Sequence, residues 1–127
     1  MFGRPRSEAY LIRLADELAE ETEGDAIAIP TGVTNPAGVE AGFDRVREAF
    51  GPVEVLCNNA YPTDDTESGL AASDGGPLGA DQSAFERSWR VWVYGSFLCS
   101  EQAVADTVAE NGGTVLLSSV PFALRGG

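Results

Sequence analysis

Lysine and histidine are both absent from this 127-residue sequence, in which all eight basic residues are arginine. Without histidine, the chain has no Ser-His-Asp triad, no Cys-His pair and no imidazole ligand for a metal. Without lysine, it has no Schiff-base nucleophile and no phosphate-binding lysine. These absences exclude much of the common chemistry of hydrolases and of phosphate-loop proteins.

Positive charge is also scarce, since 20 acidic residues face 8 basic ones and the formal net charge is −12. A chain this acidic repels a phosphate backbone, so we expect no nucleic-acid partner. A solvated surface explains acidity in general. The complete lack of lysine, with acidic residues spread along the chain, favours adaptation to high salt, where screening removes the repulsion. We therefore hypothesise a protein of a halophilic cytoplasm.

Cysteines and long apolar runs are few. Cys57 and Cys99 form no Cys-x-x-Cys motif, and we expect buried free thiols rather than a disulfide framework. No stretch reaches the about 18 apolar residues that a membrane span needs. The first residues are not followed by the apolar region of an export signal. We expect no membrane partner and a cytoplasmic location.

Apolar spacing alternates between the helical and the strand period along the chain. It predicts helices over residues 7–23, 35–50 and 81–110, capped by Ser7, Asn35 and Asp81. It predicts strands over residues 25–30, 53–57 and 114–117. About twenty Gly-, Pro-, Ser- and Asp-rich residues from Tyr61 to Ala80 are expected to form a functional or disordered loop. The alternation predicts one α/β domain with three helices and three mainly parallel strands.

The first and second predicted helices each carry a one-sided apolar stripe. In the second helix, Val39, Phe43, Val46 and Phe50 recur at spacings of three and four. The stripe of the first helix consists of Tyr10, Leu11, Leu14, Ala15 and Leu18. Each stripe gives its helix one apolar face.

Polar residues follow two of the predicted strands. Asn58 and Asn59 end the second strand, and Ser118 and Ser119 end the third. In open parallel sheets, ligands bind outside the carboxyl ends of the strands, where amides and hydroxyls hold them. The same residue types also satisfy the backbone groups of loops. Composition and spacing leave both interpretations open.

The order of several short motifs is more specific than any one of them. Residues 50–60 read FGPVEVLCNNA, residues 95–98 read GSFL, and residues 112–119 read GGTVLLSS. This order resembles the short-chain dehydrogenase/reductase family, from about Arg6 to Gly127. The resemblance implies a partial Rossmann domain over residues 1–127. It also implies hydride transfer between NAD or NADP and a small alcohol or carbonyl substrate.

The resemblance assigns roles to four residues and implies no metal. Asn58 matches the asparagine that lines the nucleotide site, and Ala60 places backbone beside the ribose. Val33 matches the residue that packs near the adenine. Ser119 matches the catalytic serine that holds the substrate oxygen.

The sequence departs from the family pattern at decisive positions. The Gly-rich turn that holds the pyrophosphate and the Tyr-x-x-x-Lys pair have no counterpart here. Gly32, Tyr61 and Trp92 stand where the family has aspartate, glycine and asparagine. We therefore expect an internal piece of such an enzyme, catalytically incomplete alone and with weak or no cofactor binding. Family strand order further predicts a gap in the sheet, with unpaired edges.

A non-catalytic module for oligomerisation is the main alternative function. Trp89, Trp92 and Phe97, with the stripe of the second helix, form large apolar faces for a small domain. They predict self-association. A receiver-like signalling domain is disfavoured, because it needs a lysine and an aspartate at a strand end. Asp64, Asp65 and Glu67 fit a solvated acidic loop better than a calcium site.

Overall fold

The computed structural model describes residues 5–60 and 82–117 of the chain. Its elements are helix α1 (Pro5–Glu21), helix α2 (Pro36–Phe50), strand β1 (Val55–Asn58), helix α3 (Gln82–Trp89), a π-helical segment (Arg90–Tyr94), helix α4 (Gly95–Ala109) and strand β2 (Thr114–Leu117). The predicted loop 61–80, the Asp81 cap and Ser119 lie outside the described residues.

The two strands pair in parallel, with Val55 opposite Thr114 and Asn58 opposite Leu117. Helix α4 packs on both strands, and α2 packs on α4. Parallel neighbours need a long crossover, and the helical run from α3 to α4 provides the helices of that crossover. The predicted α/β architecture with parallel strands is therefore confirmed.

Residues 25–30, the first of the three predicted strands, do not form a strand. They run without a helix, turn or bend, and they join no sheet. A strand exists through hydrogen bonds to a neighbour, and among the described residues β1 pairs only with β2. The apolar run thus has no strand beside it, and residues 5–60 and 82–117 hold two strands where three were predicted.

Helix α2 has the predicted ends because both signals are local. The Asn35 side chain accepts a hydrogen bond from the Gly38 backbone N–H at 3.3 Å, and Pro36 occupies the first helical position. At the other end Gly51 has a φ of 88°, which favours glycine, and its N–H donates to the Arg47 carbonyl at 2.9 Å.

Helix α1 is shifted by two residues from its prediction. It includes Ser7, the predicted cap, and begins at Pro5, whose fixed φ suits a first turn. It ends at Glu21, before the predicted stop at Gly24. Just beyond, the Thr22 hydroxyl donates to the Leu18 carbonyl at 2.7 Å.

The third predicted helix is helical from residue 82 to 109 but contains a change of winding. Over Arg90–Tyr94 it is π-helical, and the Gly95 N–H donates to the Arg90 carbonyl five residues earlier. The rings of Trp89 and Tyr94, also five residues apart, are nearly parallel with centroids separated by 6.5 Å. The helix ends as predicted, at Asn111 and Gly112, which both have positive φ.

A polar network attaches the start of β1 to the helices. The Arg47 Nε donates to both carboxylate oxygens of Asp106, at 3.0 and 3.1 Å. Asp106 also accepts the backbone N–H of Val53 at 2.9 Å. The hydrogen bond from Arg47, followed by that from Val53, lowers the pKa of Asp106. One carboxylate thus joins α2, α4 and the residue that leads into β1.

Candidate functional site

A small cavity of about 90 Å³ lies at the carboxyl end of β1. Val33 lines the cavity from the loop before α2, and Asn58 and Ala60 line it from the end of β1. Gly95 and Ser96 at the start of α4 form part of its wall. Three of the four predicted site residues therefore lie around one cavity, at the sheet edge where parallel α/β folds bind ligands.

Val33 is held against α4 by the lack of a side chain at Gly95. A Cβ at Gly95 would lie 2.8 Å from Val33 Cγ2 and 3.1 Å from Val33 Cβ. Gly95 itself is buried and helical. The glycine thus allows the 31–34 loop to lie directly on the helix and sets the position of Val33 beside the cavity.

The Asn58 amide is already used inside the fold. Its Nδ2 donates to the Ser100 hydroxyl at 3.4 Å and to the Leu116 carbonyl at 3.3 Å. These bonds connect β1 to α4 and to β2. Asn58 lines the cavity, but its amide hydrogens point into the protein, where they fix the position of the cavity wall rather than bind a ligand.

The two cysteines are free, as predicted, but only one is partly buried. Successive strand side chains alternate between the two faces of a sheet. Since Asn58 faces α4, Cys57 faces the opposite side, which no described helix covers, and it is exposed. The prediction of a buried Cys57 is therefore wrong. Burial raises the pKa of the Cys99 thiol, which disfavours the reactive thiolate.

The π-helical segment contains Trp92, which stands where the resembled family has a catalytic asparagine. Segments of this kind often occur at functional sites. Here the segment ends at Tyr94, directly before Gly95, where α4 meets the cavity. Trp92 is half-buried, and its indole offers a donor but no acceptor oxygen.

A second and larger cavity, of about 360 Å³, adjoins the first, and Val33 and Ala60 line both. Its other walls are the α1 stripe and the run that follows it: Leu11, Leu14, Ala15, Leu18, Ala26, Ile27, Ala28, Ile29 and Thr31. All of these except Thr31 are apolar. The cavity thus separates α1 from the end of β1.

Within the described ranges, no group of three acidic or cysteine side chains could hold a metal ion. Asp64, Asp65 and Glu67 fall outside those ranges. None of the helices described is long and apolar enough to cross a membrane.

Comparison with known proteins identifies the family. The family model described as enoyl-(acyl carrier protein) reductase matches residues 6–126. A short-chain type dehydrogenase/reductase from Picea abies is 32% identical over 91 residues, which cover 72% of this chain and 31% of that protein. The crystal structure of a short-chain type dehydrogenase/reductase from Mycobacterium marinum superposes with a TM-score of 0.65 at 25% identity, covering 85% of this chain and 39% of the other. The chain therefore belongs to the short-chain dehydrogenase/reductase family.

The chain spans about a third of the length of the relatives that it matches. Members of the family typically use NAD(P) and act on small molecules. The roles of Val33, Asn58, Ala60 and Ser119 remain predictions. Sequence reasoning did not identify Ser96 or Ser100 as site residues, because only the packing of α4 on the sheet brings them to the end of β1.

Proposed function

We propose that this chain forms the nucleotide-side wall of an NAD(P)-dependent oxidoreductase site and does not transfer hydride by itself. The convergence of Val33, Asn58 and Ala60 on one cavity at the carboxyl end of β1 supports the first part. Val33 offers an apolar surface for a base, and Ala60 leaves room for a sugar beside the backbone.

The size of the cavity supports the proposal that the chain does not transfer hydride by itself. Its volume of about 90 Å³ is well below the about 300–1,000 Å³ of typical ligand sites. The cavity therefore has room for one small part of a nucleotide and not for a whole dinucleotide. The Asn58 amide adds little direct binding, because Ser100 and Leu116 already accept its hydrogens.

Proton transfer also lacks a suitable group among the described residues. Reduction of a carbonyl needs a proton donor beside the carbon that accepts the hydride. Tyr10 lies on α1, and the ring of Tyr94 lies beside Trp89 rather than in the small cavity. No lysine exists to lower a tyrosine pKa. Ser119, the proposed holder of the substrate oxygen, requires such a partner.

Affinity follows from these contacts. Each net hydrogen bond or packing contact contributes about 0.5–1.5 kcal/mol. Association costs at least about 4 kcal/mol in lost rigid-body freedom. A few contacts at Val33, Asn58 and Ala60 therefore leave a dissociation constant weaker than about 1 mM.

Calorimetry with NADH and NADPH tests the affinity, and NADPH oxidation with a ketone tests turnover. We expect no measurable heat and no oxidation. In an amide NMR titration at high NADH, weak shifts should cluster at Val33, Asn59 and Ala60. Ser96→Leu, which fills the cavity, should abolish these shifts, whereas Ala109→Leu at the exposed end of α4 should preserve them. Micromolar binding or ketone-dependent oxidation by the isolated chain would overturn the proposal.

Self-association is a second candidate function, favoured by an apolar stripe on the third helical run. The members of the stripe are between 46% and 71% exposed and recur at spacings of four and seven: Phe85, Trp89, Val93, Phe97, Val104 and Val108. Such spacing places residues on one side of a helix. Contiguous exposed apolar surface of this kind often marks an interface.

Sedimentation velocity at high KCl tests this candidate. Phe97→Glu places a charge in the middle of the stripe and should shift the chain towards monomer. Glu48→Gln, an exposed change on α2 that lies away from the stripe, is the control and should leave the distribution unchanged. A parent chain that stays monomeric at high protein concentration would exclude self-association through this stripe.

A further inference from the structure

The orientation of the Asn58 amide is fixed by one backbone carbonyl. A carbonyl oxygen accepts hydrogen bonds and donates none, so the side-chain atom 3.3 Å from the Leu116 carbonyl oxygen is the nitrogen Nδ2. Nδ2 also donates to the Ser100 hydroxyl, at 3.4 Å. Turning the amide over would place two acceptor oxygens against each other. The carbonyl oxygen Oδ1 is therefore the side-chain atom of Asn58 that takes part in neither contact.

Oδ1 is the acceptor that Asn58 can offer to a ligand. The hydrogen bond from Thr114 N–H to the Glu54 carbonyl directs the backbone groups of alternate residues, among them Asn58, towards β2. Within the part of the chain that the structure describes, no residue donates to Oδ1. In the same part, no fully buried side-chain nitrogen or oxygen lacks a partner. Oδ1 is therefore not fully buried, and it is accessible at the cavity that Asn58 lines.

The other polar side chains around the small cavity do not distinguish donors from acceptors. The Ser96 hydroxyl can rotate either to donate or to accept. Asn59 is exposed one residue beyond β1, so its amide can turn over. Burial raises the pKa of the Cys99 thiol, which stays neutral and is weak in both roles. Among these side chains, a fixed hydrogen-bonding preference comes from Asn58.

We propose that Asn58 Oδ1 is a specificity-determining group, which selects a ligand that presents an amino N–H and rejects one that presents an oxygen in its place. This selection rests on the proposed function, in which the cavity receives part of NAD(P). That cofactor carries an amino group at both ends, on the adenine ring and on the carboxamide of nicotinamide. The volume of about 90 Å³ leaves room for one of these groups and not for both ends.

Rejection contributes more to the selection than attraction does. Water competes for Oδ1, so a hydrogen bond from an amino group adds little net affinity. An oxygen in the same place excludes water and leaves two acceptors facing each other without a hydrogen between them. We expect the amino compound to bind about fivefold or more tightly than its counterpart without the amino group.

Two pairs of neutral compounds test the selection on the intact chain. Inosine has a carbonyl oxygen where adenosine has its amino group, and 3-acetylpyridine has a methyl group where nicotinamide has its amino group. Amide NMR titrations at fixed KCl, followed at Val33 and Ala60, give the four dissociation constants. A preference for adenosine over inosine would assign the adenine end to the cavity. A preference for nicotinamide over 3-acetylpyridine would assign the nicotinamide end.

Two variants separate selection from a structural role of Asn58. Asn58→Ala removes Oδ1 and should bring the dissociation constants of the preferred pair to within about twofold of each other. Loss of a merely structural residue would weaken both compounds alike and keep their ratio. Ser96→Ala is the matched control, since it removes a rotatable hydroxyl from the same cavity and should keep the ratio. Circular dichroism verifies the helices, and if Asn58→Ala loses them, the two pairs decide on the parent chain alone.

Failure of the selection can be told apart from failure of the proposed function. Equal dissociation constants within both pairs, or shifts at Val33 and Ala60 with NADH alone, would overturn the selection and leave the proposed function standing. A preference for inosine or 3-acetylpyridine, or a preference that persists in a folded Asn58→Ala variant, would also overturn the selection. The lack of any shift at Val33 and Ala60, with NADH or with the four compounds, would overturn both.

Discussion

Replacing Asp106 with asparagine tests whether the polar network holds the start of β1 in place. The substitution keeps the shape of the side chain and removes its charge. It weakens the contact with Arg47 Nε and replaces one carboxylate oxygen by an NH2 group, which donates hydrogen bonds and cannot accept them. The Val53 N–H, which donates to Oδ2 at 2.9 Å, then depends on how the amide is oriented.

The expected loss of stability is intermediate between that of a surface pair and that of a buried one. The Asp106 side chain is 12% exposed and that of Arg47 is 27% exposed. Exposed pairs contribute about 0.2–1 kcal/mol, whereas hydrogen bonds to charged groups contribute about 1.5–3 kcal/mol. We expect Asp106→Asn to lower the free energy of unfolding by about 2 kcal/mol.

Asp44→Asn is the matched control, because Asp44 also contacts Arg47, at 3.0 Å, but is 59% exposed. Its loss should stay within about 0.5 kcal/mol. Urea unfolding followed by circular dichroism at fixed KCl measures both variants. Equal midpoints and slopes for the two variants would refute the assignment of stability to the Asp106 network.

The pH dependence of the same network has a defined sign. The hydrogen bonds from Arg47 and Val53 lower the pKa of Asp106 in the folded state. Its stabilising effect is therefore complete above the unfolded value of about 3.9 and is lost as the pH falls through the lower, folded pKa. The parent should lose this contribution on acidification below about pH 4, whereas Asp106→Asn should not.

Three further predictions concern the site and the charge. Gly95→Ala should lower stability by about 1–3 kcal/mol, because its Cβ would lie 2.8 Å from Val33 Cγ2, and Val33→Ala in the same chain should restore part of the loss in urea unfolding. Asn58→Ala should lower the free energy of unfolding by about 1 kcal/mol, because it removes the hydrogen bonds to Ser100 and Leu116. Ser100→Ala should lower it by less in the same urea experiment. The chain should unfold when KCl is lowered from about 3 M to about 50 mM, as followed by circular dichroism, and equal stability at both concentrations would reject the halophilic hypothesis.

Features that depend on neighbouring residues in the sequence could be predicted well. The Asn35-Pro36 start and the Gly51 end of α2 are local hydrogen-bonding and backbone preferences, and the structure has both. Strand β2 occupies the predicted residues 114–117. The switch to π-helical winding over residues 90–94 carried no such local signal, because the apolar residues there fit an ordinary buried helix.

Predictions about the site were limited by the distance along the chain between contacting residues. The place of Asn58 and Ala60 follows from topology, since residues at the carboxyl end of a parallel strand lie at one edge of the sheet. The place of Val33 does not, because residues 25–30 form no strand before it. The direction of the Asn58 amide does not, because its acceptor Ser100 lies 42 residues away on another element. The closeness of Val33 and Gly95 likewise appears only when α4 is packed.

The geometry makes the small cavity at the end of β1 and the exposed stripe of α4 independent of each other. Helix α4 packs on both strands, and its buried residues include Leu98 and Ala103, whereas Phe97, Val104 and Val108 stay exposed. The exposed stripe therefore points away from the sheet. A ligand in the small cavity, beside Val33 and Ala60, would leave this stripe uncovered. Adding NADH should accordingly leave the sedimentation behaviour of the chain unchanged, and Phe97→Glu should leave the NADH-induced amide shifts at Val33 and Ala60 unchanged.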